Sequence, residues 1–184
     1  MSYLITCSGS KVEPIVINPS TLNNLSFPTL NPIRTILVNE YQNQKLTILD
    51  WDRCLPAWQL YSGPGARLYP RVTNANWTNP NTDVKILSAL FGWIKHTDLI
   101  PFYDLKMDEQ LIINNNLISV NRYWLFNANL NQNIFIEPND IDLLSIVYRK
   151  ALNNAGNPVA IVPNVIWNDN YGVHKGSWLN EQLM

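Results

Sequence analysis

The sequence predicts an α/β fold, a single domain with a central, mixed and partly parallel sheet that is flanked by helices. Three apolar runs, at residues 3–7, 84–90 and 159–162, have the length and composition of buried strands. Segments with helical features separate them, and this alternation is typical of a sheet that is at least partly parallel. The chain has 184 residues, 46% of them hydrophobic, which suffices for one core. Because we find neither a repeat nor a linker, residues 1–184 are expected to form one domain.

The first predicted elements are a strand and a helix. Residues 3–7 form the strand, which opens into a polar loop, and the proline-containing residues 14–31 are expected to be irregular. From Pro32 onward, apolar side chains recur at helical spacing, and proline is well suited to a first helical turn. That series is Ile33, Ile36, Leu37 and Tyr41. Residues 46–49 are a candidate short strand.

The middle of the chain predicts the second strand of the sheet. Residues 56–60 suit a brief helix before a glycine-rich turn at 62–65. The β-rich run at 84–90 is the second strand, and we expect a long connection over residues 92–104. Residues 111–120 have the pattern of a hairpin around three asparagines.

The last third of the chain predicts two helices and a strand. The helices are expected at residues 121–132 and 140–154, the second with Asn139 or Asp140 as its cap. The strand is expected at residues 159–162.

Charge and composition limit the classes of partner. The net charge is -1, and the 13 lysines and arginines include no run of three, so strong nonspecific binding to duplex DNA is not expected. A local basic pocket is compatible with these counts. The amino terminus lacks the features of a signal peptide, and no apolar run approaches the roughly 18 residues that span a bilayer. We therefore expect a cytoplasmic protein without a membrane partner.

The cysteines and histidines predict neither a metal site nor a cofactor. Cys7 and Cys54 are too few and too far apart for a structural zinc site or a disulfide framework. His96 and His174 stand in no metal-ligand pattern. Cys7 is expected to be a small buried residue at the end of the first strand.

Two loops have side chains that suit an anionic ligand. Ser8, Ser10 and Lys11 follow the first strand, where backbone N–H groups and an ammonium can hold a phosphate. The alternative is an ordinary exit from a strand. The turn that begins with Gly63 and ends with Arg67 can bring backbone and guanidinium to a phosphate or carboxylate, and a plain turn explains it equally well.

The segment after the second strand has the polar groups of a site. Ser88 and Gly92 are expected near the carboxyl end of that strand, where open α/β sheets bind ligands. Asp98, Tyr103 and Asp104 can orient a ligand, and a carboxylate there can act as a general base. Alternatively, Asp98 braces its own loop.

The tail at residues 167–178 combines polar and aromatic side chains. His174 and Lys175 can close over a site at the sheet edge, or the tail is a surface loop anchored by tryptophans.

Three stretches resemble one protein family, and they are spread over about half of the chain, from residue 4 to residue 107. The densest match lies at residues 86–107 and includes Leu87, Ser88, Leu90, Gly92, Asp98, Leu99, Ile100, Tyr103, Leu105 and Met107. This pattern resembles the signature of the YaaA peroxide stress family, as do residues 4–11 and the turn within 57–67. The chain departs from the family at Ala89 and Asp104, where glycine and arginine are usual.

The resemblance implies DNA binding and a role in tolerating peroxide. The candidate ligand contacts are Ser8, Ser10, Lys11, Tyr61, Gly63, Arg67, Ser88, Gly92, Tyr103 and His174, and the catalytic candidates are Lys11, Asp98 and Asp104 if a reaction takes place. Aromatic side chains that can stack on a base are Trp58, Tyr61, Trp93 and Tyr103. Two other functions stay open. One is an enzyme that acts on a nucleobase, nucleoside or sugar phosphate, and the other is a noncatalytic interaction module that uses exposed tryptophans.

Overall fold

The computed structural model describes residues 1–165 and 171–184. Within them it confirms the predicted α/β fold with a mixed sheet. The strands are β1 (Tyr3–Thr6), β2 (Cys54–Pro56), β3 (Val84–Ser88), β4 (Gly92–Lys95), β5 (Leu99–Pro101), β6 (Gln110–Ile113), β7 (Asn116–Ser119) and β8 (Ile141–Asp142). The helices are α1 (Asn31–Lys45), α2 (Ala57–Leu60), α3 (Asn74–Thr78), α4 (Val120–Asn127), α5 (Ile146–Arg149) and α6 (Tyr171–Gln182). Three short 3₁₀ turns complete the described secondary structure, at Leu22–Asn24, Pro28–Leu30 and Tyr69–Arg71.

The main sheet has the strand order β4-β3-β1-β8. β1 pairs in parallel with both β3 and β8, whereas β3 and β4 are antiparallel. β3 is buried along its whole length, as expected for a strand covered on both faces. The parallel strands β1 and β3 therefore end at the same edge, which positions the site.

The helix from Pro32 and the asparagine hairpin are confirmed. α1 begins at Asn31, with proline in its first turn, and buries Leu37, Val38 and Tyr41. In the hairpin, β6 and β7 pair around Asn114 and Asn115, whose φ angles are 50° and 64°. Positive φ at both central residues is the requirement of a tight hairpin turn, and asparagine tolerates it.

The candidate strand at residues 46–49 is wrong. Leu46 has φ 50° and ends α1 in the left-handed conformation, while Leu46 and Ile48 are 92% and 88% exposed. The segment is fixed instead by the Leu49 amide, which donates to the side chain of Gln42 at 2.8 Å. Apolar composition alone makes no strand where no neighbouring strand pairs with it.

The long connection over residues 92–104 is also wrong, because two strands lie within it. Gly92 has φ 63°, so the chain reverses tightly after β3 and returns as β4, with Ser88 opposite Gly92. β5 then pairs with β2 in a separate antiparallel ribbon.

The helix predicted at 140–154 is replaced by β8 and the single-turn helix α5. Asp140 caps no helix: its buried carboxylate accepts from the Lys85 ammonium at 2.9 Å and from the Ser2 amide at 2.7 Å. Asp142 accepts from the Leu144 amide and from Arg149. These inward carboxylates hold the chain extended beside β1.

The other predicted boundaries need smaller corrections. The helix expected at 121–132 begins at Val120 and ends at Asn127. The strand expected at 159–162 reduces to one bridge between Ile141 and Ile161, and Ile161 is 49% exposed. Among the described residues, no helix has the length and apolar character required to cross a membrane.

Candidate functional site

The carboxyl end of β1 opens between two surface cavities. Cys7, Ser8 and Gly9 line both of them. One cavity, of about 280 Å³, lies toward α6 and is also lined by Arg67 and Lys175. The other, of about 320 Å³, lies toward α5 and residues 105–108. This edge of the sheet is where open α/β folds bind ligands, so it is the candidate site.

Behind the loop lies a network of buried hydroxyl groups. The Tyr61 and Tyr103 hydroxyls are 2.8 Å apart, and Ser88 Oγ lies 2.9 Å from Tyr103 and 3.2 Å from Tyr61. Ser88 Oγ also accepts the Phe91 amide at 3.1 Å. All three hydroxyl side chains are at most 1% exposed. The structure brings these predicted residues together and places them in the core next to Cys7, rather than on the walls of the cavities.

The Cys7 thiol connects this network to α5. Its sulfur lies 3.0 Å from the Tyr148 hydroxyl, and the Tyr103 hydroxyl donates to it at 3.8 Å. Burial raises the pKa of Tyr61, Tyr103 and Tyr148 well above the usual value, and the electrostatic effect of the nearby Cys7 acts in the same direction. These tyrosines therefore keep their protons at physiological pH and can donate hydrogen bonds.

Lys11 lies against the aromatic rings of the network. Its Nζ is 4.5 Å from the centre of the Tyr103 ring and 5.9 Å from that of Tyr61, a cation–π arrangement. Burial lowers the pKa of Lys11, and the electrostatic effects of Cys7 and Asp104 act in the opposite direction. The predicted residues Lys11 and Asp104 therefore share one electrostatic environment.

The glycine-rich turn packs directly on the loop that follows β1. A Cβ atom on Gly63 would lie 2.6 Å from the backbone of Lys11, so only glycine permits this approach. The Gly65 amide donates to Ser10 Oγ at 2.8 Å. The two loops predicted to bind an anion are thus in contact, and the Ser10 hydroxyl oxygen holds them together by accepting this hydrogen bond.

The cavity toward α6 is cationic. Arg67 and Lys175 are the charged side chains among its described lining residues. Lys175 Nζ donates to the Leu143 carbonyl at 2.8 Å. Burial lowers the pKa of Lys175 to about 8, repulsion from Arg149 contributes in the same direction, and Asp142 opposes it.

Asp98 lies at the opposite end of the sheet from Ser88. It follows β4, whose last residue, Lys95, pairs with Lys85 near the start of β3, roughly 10 Å from Ser88 at about 3.3 Å per residue. Its carboxylate accepts from the Ser26 amide at 2.8 Å and from the Ser26 hydroxyl at 2.7 Å. The alternative that Asp98 braces a loop agrees with this geometry.

Other predicted residues also lie away from the two cavities. Gly92 turns the chain toward β4 and packs against Trp124, and Trp93 is fully buried, with its indole N–H on the Leu130 carbonyl. His174 lines a separate groove with Trp178. None of the tryptophans that the structure describes is exposed. Of the tail predicted at residues 167–178, residues 167–170 lie outside the described residues, and residues 171–178 belong to the helix α6 rather than to a surface loop.

Sequence reasoning missed the hydroxyl partners of Cys7 and of the loop. Tyr148 was assigned to a longer helix, although it lies beside Cys7 from 141 positions away. Tyr69, whose hydroxyl donates to the Thr6 carbonyl at 2.6 Å, follows the glycine-rich turn closely, and that proximity was the available signal. Within the described residues, no group of three or more metal-binding side chains comes together.

One family model matches residues 20–174, and it is described as peroxide stress protein YaaA. That span is well over half of the chain. The chain belongs to the YaaA peroxide stress family. No curated protein matched the chain. The matched span includes Arg67, Ser88, Tyr103 and Asp104, whereas the loop after β1 and Lys175 lie outside it.

Proposed function

We propose that this YaaA family member acts in the response to peroxide stress by binding DNA, and that the cavity between residues 7–9 and α6 receives a phosphate. One observation supports the proposal most. Arg67 and Lys175 line this cavity, and its described lining includes no carboxylate. A guanidinium binds phosphate oxygens in a bidentate manner, and a nearby ammonium adds charge.

The size and charge of the site favour a single strand or an irregular element over a duplex face. The cavity holds about 280 Å³, and the net charge of the chain is -1. A protein that lies along a duplex neutralises many phosphates with an extended basic surface, which this composition does not provide. Binding through about two phosphates requires only the local pair of cations.

Fluorescence anisotropy with a labelled single-stranded oligonucleotide, a random duplex and a mismatched duplex tests the proposal. For two phosphates we expect a salt slope of about −1.4, so affinity for the single strand falls about sevenfold between about 50 and 200 mM salt. Arg67→Ala is expected to weaken binding and to flatten this slope.

The matched control is Arg122→Ala, which removes an equal charge at an exposed residue of α4. The proposal fails if no DNA binds, or if both arginine variants weaken binding equally.

A second candidate, an enzyme acting on a nucleoside or sugar phosphate, is favoured by the environment of Lys11. A partly buried ammonium with a lowered pKa, next to Asp104 and a hydroxyl network, is the kind of group that transfers protons. Thermal shifts across a panel of nucleotides and sugar phosphates test it. Lys11→Ala should abolish the response to any hit, whereas Lys150→Ala, at an exposed residue outside both cavities, should retain it. If Lys11→Ala responds like the wild type, this candidate is removed.

A further inference from the structure

Another cavity lies at the other end of the sheet, where β3 begins and β4 ends. Its volume is about 640 Å³, within the range of small-molecule sites. It shares no lining residue with the two cavities beside Cys7. Its walls combine two tryptophans with mostly polar side chains, among them Gln59, Asn79, Asp83, Lys95, His96 and Thr97.

One wall of this cavity is an aromatic stack. Trp58 and Trp77 lie nearly parallel, with centroids 5.9 Å apart and planes inclined by 13°, and Trp77 stacks in turn on Tyr69 at 5.8 Å and 18°. Trp77 is only 1% exposed, so it belongs to the core. Trp58 is half-buried and forms the end of the stack on the cavity side. A flat ring can extend such a stack, and stacking on aromatic side chains is how proteins bind bases.

The opposite charges in the cavity balance each other. Asp83 supplies a carboxylate, one oxygen of which accepts from Ser2 Oγ at 2.6 Å, and Lys95 supplies an exposed ammonium. His96 adds no charge at neutral pH, because burial lowers its pKa. A neutral site with one strong acceptor and one strong donor selects an uncharged ligand that offers both kinds of group.

We propose that this cavity binds a purine nucleoside, with the base on Trp58 and its polar edge toward Asp83 and Lys95. Guanosine suits the pair best, because guanine presents an amino donor together with O6 and N7 acceptors. A base occupies only part of the volume, which leaves room for the sugar among Gln59 and Thr97. This site is separate from the phosphate cavity and does not depend on DNA binding there.

Isothermal titration calorimetry of the full chain with guanosine tests the proposal, with ribose and glucose as sugar probes. We expect one saturable guanosine site and no heat from either sugar. Trp58→Ala should weaken guanosine binding at least about tenfold, because it removes the stacking surface. The matched control, Trp51→Ala, removes another half-buried tryptophan outside the cavity and should bind guanosine like the wild type.

Lys95→Ala keeps the test decisive if Trp58→Ala fails to fold, since Lys95 is exposed on the cavity rim. Lys95→Ala should lower the affinity for guanosine several-fold, whereas Lys106→Ala should leave this affinity unchanged. Sugar binding as tight as that of guanosine would identify a carbohydrate site and overturn the proposal, as would unchanged binding in Lys95→Ala. The Arg67→Ala variant should bind guanosine with the affinity of the wild type, even though its affinity for DNA is reduced. Loss of guanosine binding in that variant would place the base in the other cavity and overturn the proposal.

Discussion

At the scale of single residues, Arg34 is the most unusual group in the core. It is 0% exposed. Its guanidinium donates to the backbone carbonyls of Ser26, Phe91 and Trp93 at 2.6–2.8 Å. It also donates to the side chain of Asn31. Burial lowers its pKa to about 10, although the charge of Asp98 opposes the shift. Arg34 thereby ties α1 to the turn between β3 and β4, which positions Ser88.

Arg34→Ala is expected to lower the free energy of unfolding by about 3–5 kcal/mol, because it leaves several buried carbonyls without donors. Arg34→Lys should recover only part of this loss, since an ammonium cannot reproduce the planar fork. Urea denaturation measures both. Arg53→Ala, at an exposed residue, serves as the control, and a loss for Arg34→Ala no larger than for that control would contradict the role of Arg34.

Lys175 predicts a pH dependence of DNA binding. Its pKa is about 8, so its ammonium loses the proton as the pH rises through this value and the phosphate loses an attracting charge. Affinity for a single strand should fall by up to about tenfold between about pH 7 and 9, following the protonated fraction. Lys175→Arg should remove this dependence, because arginine stays charged. A wild-type affinity that is constant over this range would exclude Lys175 from phosphate binding.

The two loops beside β1 and the buried Arg34 show what a sequence pattern can and cannot predict. Ser8–Lys11 and the turn from Gly63 to Arg67 were recognisable, because small residues and cations in loops suggest anion binding whatever their surroundings. Arg34 was not recognised, since an arginine within an amphipathic series is normally assigned to the solvent face. Its acceptors lie up to 59 positions away, and only the folded chain brings them together.

At the scale of elements, the sequence pattern predicted α1 and the hairpin correctly. It failed at β8, where buried carboxylates determine the backbone conformation. α1 and the hairpin have clear spacing and turn residues. The sequence predicts a helix at residues 140–154, with Asn139 or Asp140 as its cap, where the structure has β8. The carboxylates of Asp140 and Asp142 override that pattern, since each binds amides and a cation from other parts of the chain.

Asp140→Asn is expected to destabilise the fold by about 3–5 kcal/mol, because it leaves the buried Lys85 ammonium without its counter-ion. Burial alone would raise the pKa of Asp140, but hydrogen bonds from Glu137, Lys85 and Ser2 bring it below the usual value. The stability that this shift represents is present above about pH 4 and is lost as the pH falls. The variant should therefore lose less stability than the wild type in acid.

Urea denaturation at neutral and acid pH measures both effects. The double variant Lys85→Met/Asp140→Asn separates the ion pair from packing, because it removes the unpaired charge and should be more stable than Asp140→Asn alone. Equal stability of the two variants would show that the pair contributes little.

At the scale of the whole molecule, the general location of the site was predictable and its composition was not. Parallel strands gather the loops after β1 and β3 at one edge, so the proximity of Ser8 and Lys11 to Ser88 follows from the fold class. The position of Tyr103 does not, because Tyr103 comes after β5 of the separate ribbon. The contact of Cys7 with Tyr148 joins residues 141 positions apart. Asp98 was assigned to this edge because the return of the chain through β4 was not foreseen.

The same long-range packing predicts how the whole molecule responds to alkali. Burial raises the pKa of four tyrosines, Tyr61, Tyr69, Tyr103 and Tyr148, well above 10. In the unfolded chain they ionise near about pH 10, whereas in the folded protein they keep their protons. The stability from these groups is therefore fully present below about pH 10 and is lost as the pH rises above it. Lys175 raises the stability of the fold as the pH increases from about 8 to 10. In the folded protein its ammonium loses the proton near pH 8, whereas in the unfolded chain it does so only near about pH 10.

We therefore expect the urea midpoint not to fall up to about pH 10 and to fall steeply beyond it, with tyrosinate absorbance increasing together with the loss of structure. Tyr148→Phe removes one of the four ionisations and the hydroxyl beside Cys7. Relative to its own stability at neutral pH, this variant should lose less on going to alkali. Tyr171→Phe, at an exposed tyrosine of α6, should behave like the wild type. Tyrosinate absorbance that rises fully before the fold is lost would mean that the four hydroxyls titrate in the native state, and that the network behind Cys7 is open to water.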